Sequence, residues 1–275
     1  MPSRIVALPF FLMILVAGYF AATVDSQYAL WVIGPFMAMV LVFVFSPQID
    51  WWWYRQHPPQ LPKKLLAFLE KYSRFYRELP PLEQNKFRER LALFPMAKDF
   101  KSQSEDGTVP EDIKMVVAAC ALPLTMHQTE FLLPKFETVI VYPKPFPSPQ
   151  YPKHFHSSEI FEEDGVLIFA ADHLLKGFMA PQQYYDIGLH EWARVWMLSM
   201  PHVVWPELTD DFWSQLTAMS RFPREAIEKS INRPDVELLP AAIVHFFHFP
   251  KQFQQIAPAV FDQFQALFVG TAIEK

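Results

Sequence analysis

The chain carries one cysteine, Cys120, and only seven glycines among its 275 residues. A single cysteine excludes an intrachain disulfide. Its setting in the apolar run Val-Val-Ala-Ala-Cys-Ala-Leu reads as a buried thiol packed like a small hydrophobe. Scarce glycine argues against a glycine-rich phosphate loop. Charge is also sparse: charged residues make up 19% and the net charge is -5. The chain therefore has no basic footprint, and nucleic acid is not an expected partner. What it has instead is 26 prolines, 51% hydrophobic residues and 16% aromatic residues. This composition points to helices joined by stiff, proline-marked connections, and to segments in a membrane.

The N-terminus supplies such segments. Ile5–Val24 is uncharged and about the 20 residues long that a hydrocarbon core requires. After Asp25-Ser26-Gln27, a second apolar run covers Tyr28–Phe45, so the spacing predicts a tight transmembrane hairpin. Pro9 and Pro35 fall inside the spans, where neighbouring helices tolerate them. Trp51-Trp52-Trp53-Tyr54 reads as an interfacial aromatic belt. Arg4 precedes the first span, and Arg55, Lys63 and Lys64 follow the second, whereas the connecting loop holds only Asp25. The positive-inside rule then places both ends in the cytoplasm, with the lipid bilayer as a partner. A cleaved signal peptide followed by one span is the alternative. Both readings leave residues 55–275 cytoplasmic. The expected organisation is a hairpin over residues 1–50, an interfacial linker over 51–64 and a folded domain over 65–275.

Within that domain, apolar spacing predicts a helix from Leu65 to Leu79, which ends at Pro80-Pro81, and another over Leu82–Phe94. The polar face of the first, with Lys71, Arg74 and Arg77, also suits a helix lying along the membrane surface. Lys101–Gly107 reads as a loop. A helix starting at Pro110 with Glu111 and Asp112 in its first turn runs to about Leu122. Glu137–Tyr142 and Gly165–Ala170 read as strands, with a proline-rich loop over Pro143–Pro152. Further helices are expected over Tyr184–Ser199, Asp211–Met219, Glu225–Ile231, Val236–Phe249 and Pro258–Val269. The sum is an α+β domain, mainly helical with a small sheet. His154 and His156 read as surface histidines, His127 and His173 as isolated ones, and Trp192, Trp196, Trp205 and Trp213 as core.

The chemistry-bearing segment is Gly188–Arg194, Gly-Leu-His-Glu-Trp-Ala-Arg. A zinc metallopeptidase helix reads His-Glu-x-x-His here, because histidines four apart project from one helix face to one ion. In this chain His190 and Glu191 are present and the second histidine is replaced by Arg194. Arginine has only donors and stays protonated, so it does not ligate a cation.

The order of motifs resembles the Mlc titration factor A (MtfA) family of zinc peptidases over roughly residues 65–270. The resemblance rests on the Ala-Ala-Cys helix, Val139–Pro143, the Gly-Val-Leu strand, Asp172 and Gly177, Gly-Leu-His-Glu and the C-terminal Ala-Ala-Ile-Val-His-Phe-Phe helix. It implies a zincin-like domain, aminopeptidase activity on small substrates, and binding of a transcriptional repressor by the best-known member. His190 matches the first zinc ligand and Glu191 the base that activates zinc-bound water. Arg194 stands at the second ligand. The family's third ligand, a glutamate, aligns with His245.

Three readings of the site follow. In the first, Arg194 supplies the lost cation's charge and pairs with Glu191 at i,i+3, leaving a vestigial base and no cofactor. In the second, His245 and His248 join His190 around a rearranged zinc ion. In the third, some hydrolysis survives. The first makes the chain a pseudopeptidase that acts by binding a protein partner in or at the membrane. An active membrane-tethered zinc aminopeptidase is the alternative.

Overall fold

A computed structural model describes residues 1–148, 152, 154–233 and 236–270. Of the expected Pro143–Pro152 loop, residues 149–151 therefore lie outside the described residues. The chain divides into two compact units, Met1–Pro59 and Gln60–Lys275.

The first unit contains α1 (Pro2–Thr23), a 3-10 stretch (Ser26–Val32), α2 (Ile33–Val44) and α3 (Ser46–Gln56). Pro2–Thr23 and Ser26–Val44 are both long and apolar enough to cross a membrane, with mean hydropathies of 2.4 and 1.9. The turn between them forms at the expected break, where the Asp25 carboxylate accepts from the Gln27 amide over 2.9 Å. Pro35 falls in the first turn of α2, where a missing amide costs least. The tryptophan belt is helical and lies within α3. From that helix Asp50 reaches the start of α1, accepting from the Ser3 amide at 2.7 Å and from its hydroxyl at 3.0 Å. The two ends of the hairpin are thereby tied together.

The second unit opens with α4 (Lys63–Tyr72), α5 (Arg74–Glu78) and α6 (Pro81–Leu93). The single helix expected over 65–79 is interrupted at Ser73, whose hydroxyl turns inward to cap α5 through the Tyr76 amide. Next come β1 (Asp99–Ser102), α7 (Glu111–Thr125), β2 (Thr138–Tyr142), β3 (Ser158–Phe161), β4 (Val166–Ala170) and α8 (Ala171–Met179). The helix of the altered motif is α9 (Ile187–Ser199). It is followed by α10 (Phe212–Ser220), α11 (Arg224–Ile231), α12 (Leu238–His248), α13 (Pro250–Ile256) and α14 (Pro258–Phe268).

The expected α+β class holds: the chain is mainly helical with one four-stranded sheet, ordered β1-β2-β4-β3. β1, β2 and β4 run parallel, with Phe100 opposite Val139 and Val139 opposite Leu167. β3 closes the far edge antiparallel to β4, with Ser158 opposite Phe169. β1, β3 and α8 were not expected. Asp-Phe-Lys-Ser and Ser-Glu-Ile-Phe lack the β-branched run that marks a strand, and only ladder pairing with β2 and β4 makes them extended.

α7 is buried almost throughout, from Met115 to Thr125, and packs on α9. Gly188 permits that approach: a β-carbon there would meet Leu174 Cδ1 at 2.6 Å and Cys120 Sγ at 2.7 Å. Cys120 is buried, as its apolar run implies. Trp192 and Trp196 are fully buried on α9, each adding a large apolar surface to the core.

Candidate functional site

α9 begins where Asp186 accepts from the Leu189 amide over 2.9 Å. This cap fixes the helix start and so the directions in which His190, Glu191 and Arg194 project. The second oxygen of Asp186 lies 2.9 Å from His248 Nε2 on α12, which joins the two helices.

His190 is buried, with its Nδ1 2.8 Å from the Tyr185 hydroxyl. Burial is the main influence on its imidazole and brings its pKa down to about 4, so the ring is neutral near pH 7. Burial also pushes the Tyr185 phenol well above its ordinary range, which keeps that proton on the pair.

Glu191 is fully buried and both of its oxygens are engaged. Oε1 accepts from the Ser158 hydroxyl of β3 over 2.8 Å, and Oε2 accepts from Arg194 Nη1 over 2.8 Å. Arg233 approaches Oε1 to 4.0 Å. Burial favours the neutral acid, but the charge of Arg194, that of His190 once it is protonated in acid, and that of Arg233 together outweigh it and hold the carboxyl at about 2. Arg194 bridges to a second carboxylate, Glu237, at 3.1 Å. Burial would favour loss of its proton, yet the two glutamates more than offset this and raise its pKa. The space bounded by His190, Glu191, Arg194, Ile231, Arg233 and Glu237 is about 10 Å³, room for no more than one water.

His245 and His248 are placed elsewhere. Nδ1 of His245 is 2.7 Å from the Ala241 carbonyl, so that nitrogen carries the proton, and Nε2 is 2.7 Å from the Ser220 hydroxyl of α10. Both ring nitrogens are thus used within the core, and burial lowers the ring's pKa to about 4. His248 is held by Asp186. Among the described residues, no group of three or more His, Cys, Asp or Glu side chains is arranged to hold a metal ion.

A zinc ion implied by the motif's likeness is not matched by these donors. One imidazole faces the site, a guanidinium occupies the second position, and the third aligned residue has no free nitrogen lone pair to offer. Both oxygens of the carboxylate that would activate water are engaged, one by Ser158 and the other by Arg194.

Several partners at the site have no sequence signal. Ser158 and Glu237 reach it through tertiary packing, and Tyr185 reaches it from the turn before α9. Asp186 falls inside the helix expected over Tyr184–Ser199, yet it caps that helix instead; its residue type just before an apolar helical run is the signal that could have found it. His156, expected at the surface, is fully buried, with Nε2 2.9 Å from Glu159. That pairing supplies the partner a buried imidazole requires.

The segment that leads into β3 is tied to the end of α11. The Ser157 amide donates to the Ile231 carbonyl over 3.0 Å, and the Asn232 side chain donates to the Phe155 carbonyl.

Residues 49–196 match the model of the family described as glucose-regulated metallo-peptidase M90. The match takes in the altered motif on α9 and stops short of α12, the helix of His245. A protein of Synechocystis sp., described as uncharacterized, is 24% identical over 156 residues, 53% of this chain and 56% of that protein. The chain thus spans about half the length of the curated relative it matches.

Proposed function

The chain belongs to the glucose-regulated metallo-peptidase M90 family, and we propose that it is a membrane-anchored pseudopeptidase of that family. It serves as a protein-binding or accessory subunit of a membrane complex. In this reading its hairpin sits in a bacterial inner membrane and its folded domain faces the cytoplasm. Glu191 is a vestigial base and Arg194 replaces the metal.

The observation that carries this is the engagement of both Glu191 oxygens in a space too small for substrate. A general base needs an accepting oxygen aimed at the proton it removes, with room beside it for the water and the substrate. Here one oxygen accepts from Ser158 and the other from Arg194, in a space for no more than one water. Arg194 supplies one positive charge where the resemblance implies a divalent cation, and Arg233 adds a second nearby. What remains for the chain to offer is surface, and the two apolar helices restrict its partners to the membrane plane.

The test is the zinc content of the full chain purified in detergent, with His190→Ala and Glu191→Gln beside it. After incubation with excess zinc and dialysis, the wild type is expected to retain far less than one zinc per chain. Near one zinc per chain, lost in His190→Ala, would overturn the reading and support a membrane-tethered zinc aminopeptidase. Peptide hydrolysis that disappears in Glu191→Gln would do the same.

A further inference from the structure

Between α1 and α2, at the end where Asp50 ties the hairpin, lies a groove of about 350 Å³. Ala7, Val40 and Phe43 form its walls, and Arg4 and Ser46 stand at its rim. Neither apolar helix is buried against protein, so in a membrane this groove faces acyl chains.

The rim is electrostatically unbalanced. The first unit holds only two acids, Asp25 and Asp50. Asp25 caps the turn at the opposite end of α1, and Asp50 is bonded through both oxygens to Ser3, which leaves one carboxylate against Arg4 and Arg55 at this end. Among the described residues, the Arg4 guanidinium has no hydrogen-bond or ion-pair partner. Arg55 adds a second positive charge in the last turn of α3, the helix that also carries the tryptophan belt. An unpaired guanidinium at the interface end of an apolar groove matches a phosphate above an acyl chain.

We infer that this groove is a binding site for one anionic diacyl phospholipid, with an acyl chain along Ala7, Val40 and Phe43 and the headgroup phosphate on Arg4. The inference rests on the membrane reading of the hairpin. It goes beyond general solvation by lipid because it assigns one occupant, one charge and one face.

The test uses the full chain in mild detergent, offered equal amounts of phosphatidylglycerol and phosphatidylcholine with identical acyl chains. Native mass spectrometry counts the lipid retained. One phosphatidylglycerol is expected in preference to phosphatidylcholine by about fivefold, the effect of one basic residue at an anionic headgroup. Arg4→Gln should abolish the preference and Arg4→Lys should keep most of it. Ala7→Phe, which fills the groove and leaves the charge alone, should lower retention of both lipids. Equal retention by the wild type, or a preference that survives Arg4→Gln and Ala7→Phe, would overturn the site. Alkaline carbonate extraction of membranes separates the two claims. A chain that stays with the membrane leaves the lipid result bearing on the groove alone. A chain that extracts overturns the membrane reading and the lipid site with it.

Discussion

Arg194 donates from Nη1 to Oε2 of Glu191 over 2.8 Å, three residues back along α9. The pair sits where a metallopeptidase helix would present a ligand and a base to one ion. A buried ion pair contributes little over an apolar core, but removing one partner leaves the other charge uncompensated.

Arg194→Ala should therefore destabilise the full chain by about 3–5 kcal/mol. Arg194→Leu combined with Glu191→Leu should recover most of that loss. Thermal unfolding in detergent, followed by tryptophan fluorescence, measures both. A single variant as stable as the wild type would show that the pair is not holding α9.

Acid sensitivity has a definite sign. His190 and His245 have folded pKa values of about 4 against an ordinary value of 6.5, so the unfolded chain binds protons the folded chain excludes. Their contribution is complete above about pH 6.5 and is lost as pH falls through 4. Glu191, held at about 2, keeps its contribution until pH falls further. Stability should fall steeply from pH 6.5 to 4, each histidine steepening the fall by about 1.4 kcal/mol per pH unit. The unfolding midpoint measured across that range follows it. His245→Gln should flatten the slope, and an unchanged slope would remove His245 from the account.

Gly188 tests the packing of α9. Gly188→Ala places a methyl 2.6 Å from Leu174 Cδ1 and 2.7 Å from Cys120 Sγ, and overpacking of this kind costs about 1–3 kcal/mol. Cys120→Ala in the same chain removes one of the two clashes. The double variant should be more stable than the sum of the singles, and strict additivity would argue against the contact.

At the hairpin, Asp50→Ala removes the acceptor of the Ser3 amide and hydroxyl. Loss of such a cap costs about 0.5–2 kcal/mol. Hydrogen exchange in the first turn of α1 should quicken while exchange in α9 stays as it was. Unchanged exchange at Ser3 and its neighbours would mean that Asp50 does not close the hairpin.

Much of α9 was legible in the sequence. Helical spacing puts Glu191 and Arg194 within reach of each other, and a local rule suffices for that because both lie on one rigid element. The two apolar helices follow from length and composition alone. The strands were legible where their own side chains prefer extension, as in Thr138–Tyr142, and illegible in β1 and β3, whose pairing comes from distant residues. His245 and His248 show the limit most clearly. Their spacing suits a shared ion, yet α12 turns one toward Ser220 on α10 and the other toward Asp186 at the start of α9.

The sequence by itself determined the altered motif, the helical class and the apolar hairpin, because each depends on residue type and short-range periodicity. Only the tertiary structure decided that Ser158 takes the second oxygen of Glu191, that Glu237 shares Arg194, and that the remaining space is small. Those contacts join residues 33 and 43 positions apart. They exist because the pairing of β3 with β4 and the packing of α12 on α9 bring separate elements to one point, which no local spacing rule encodes.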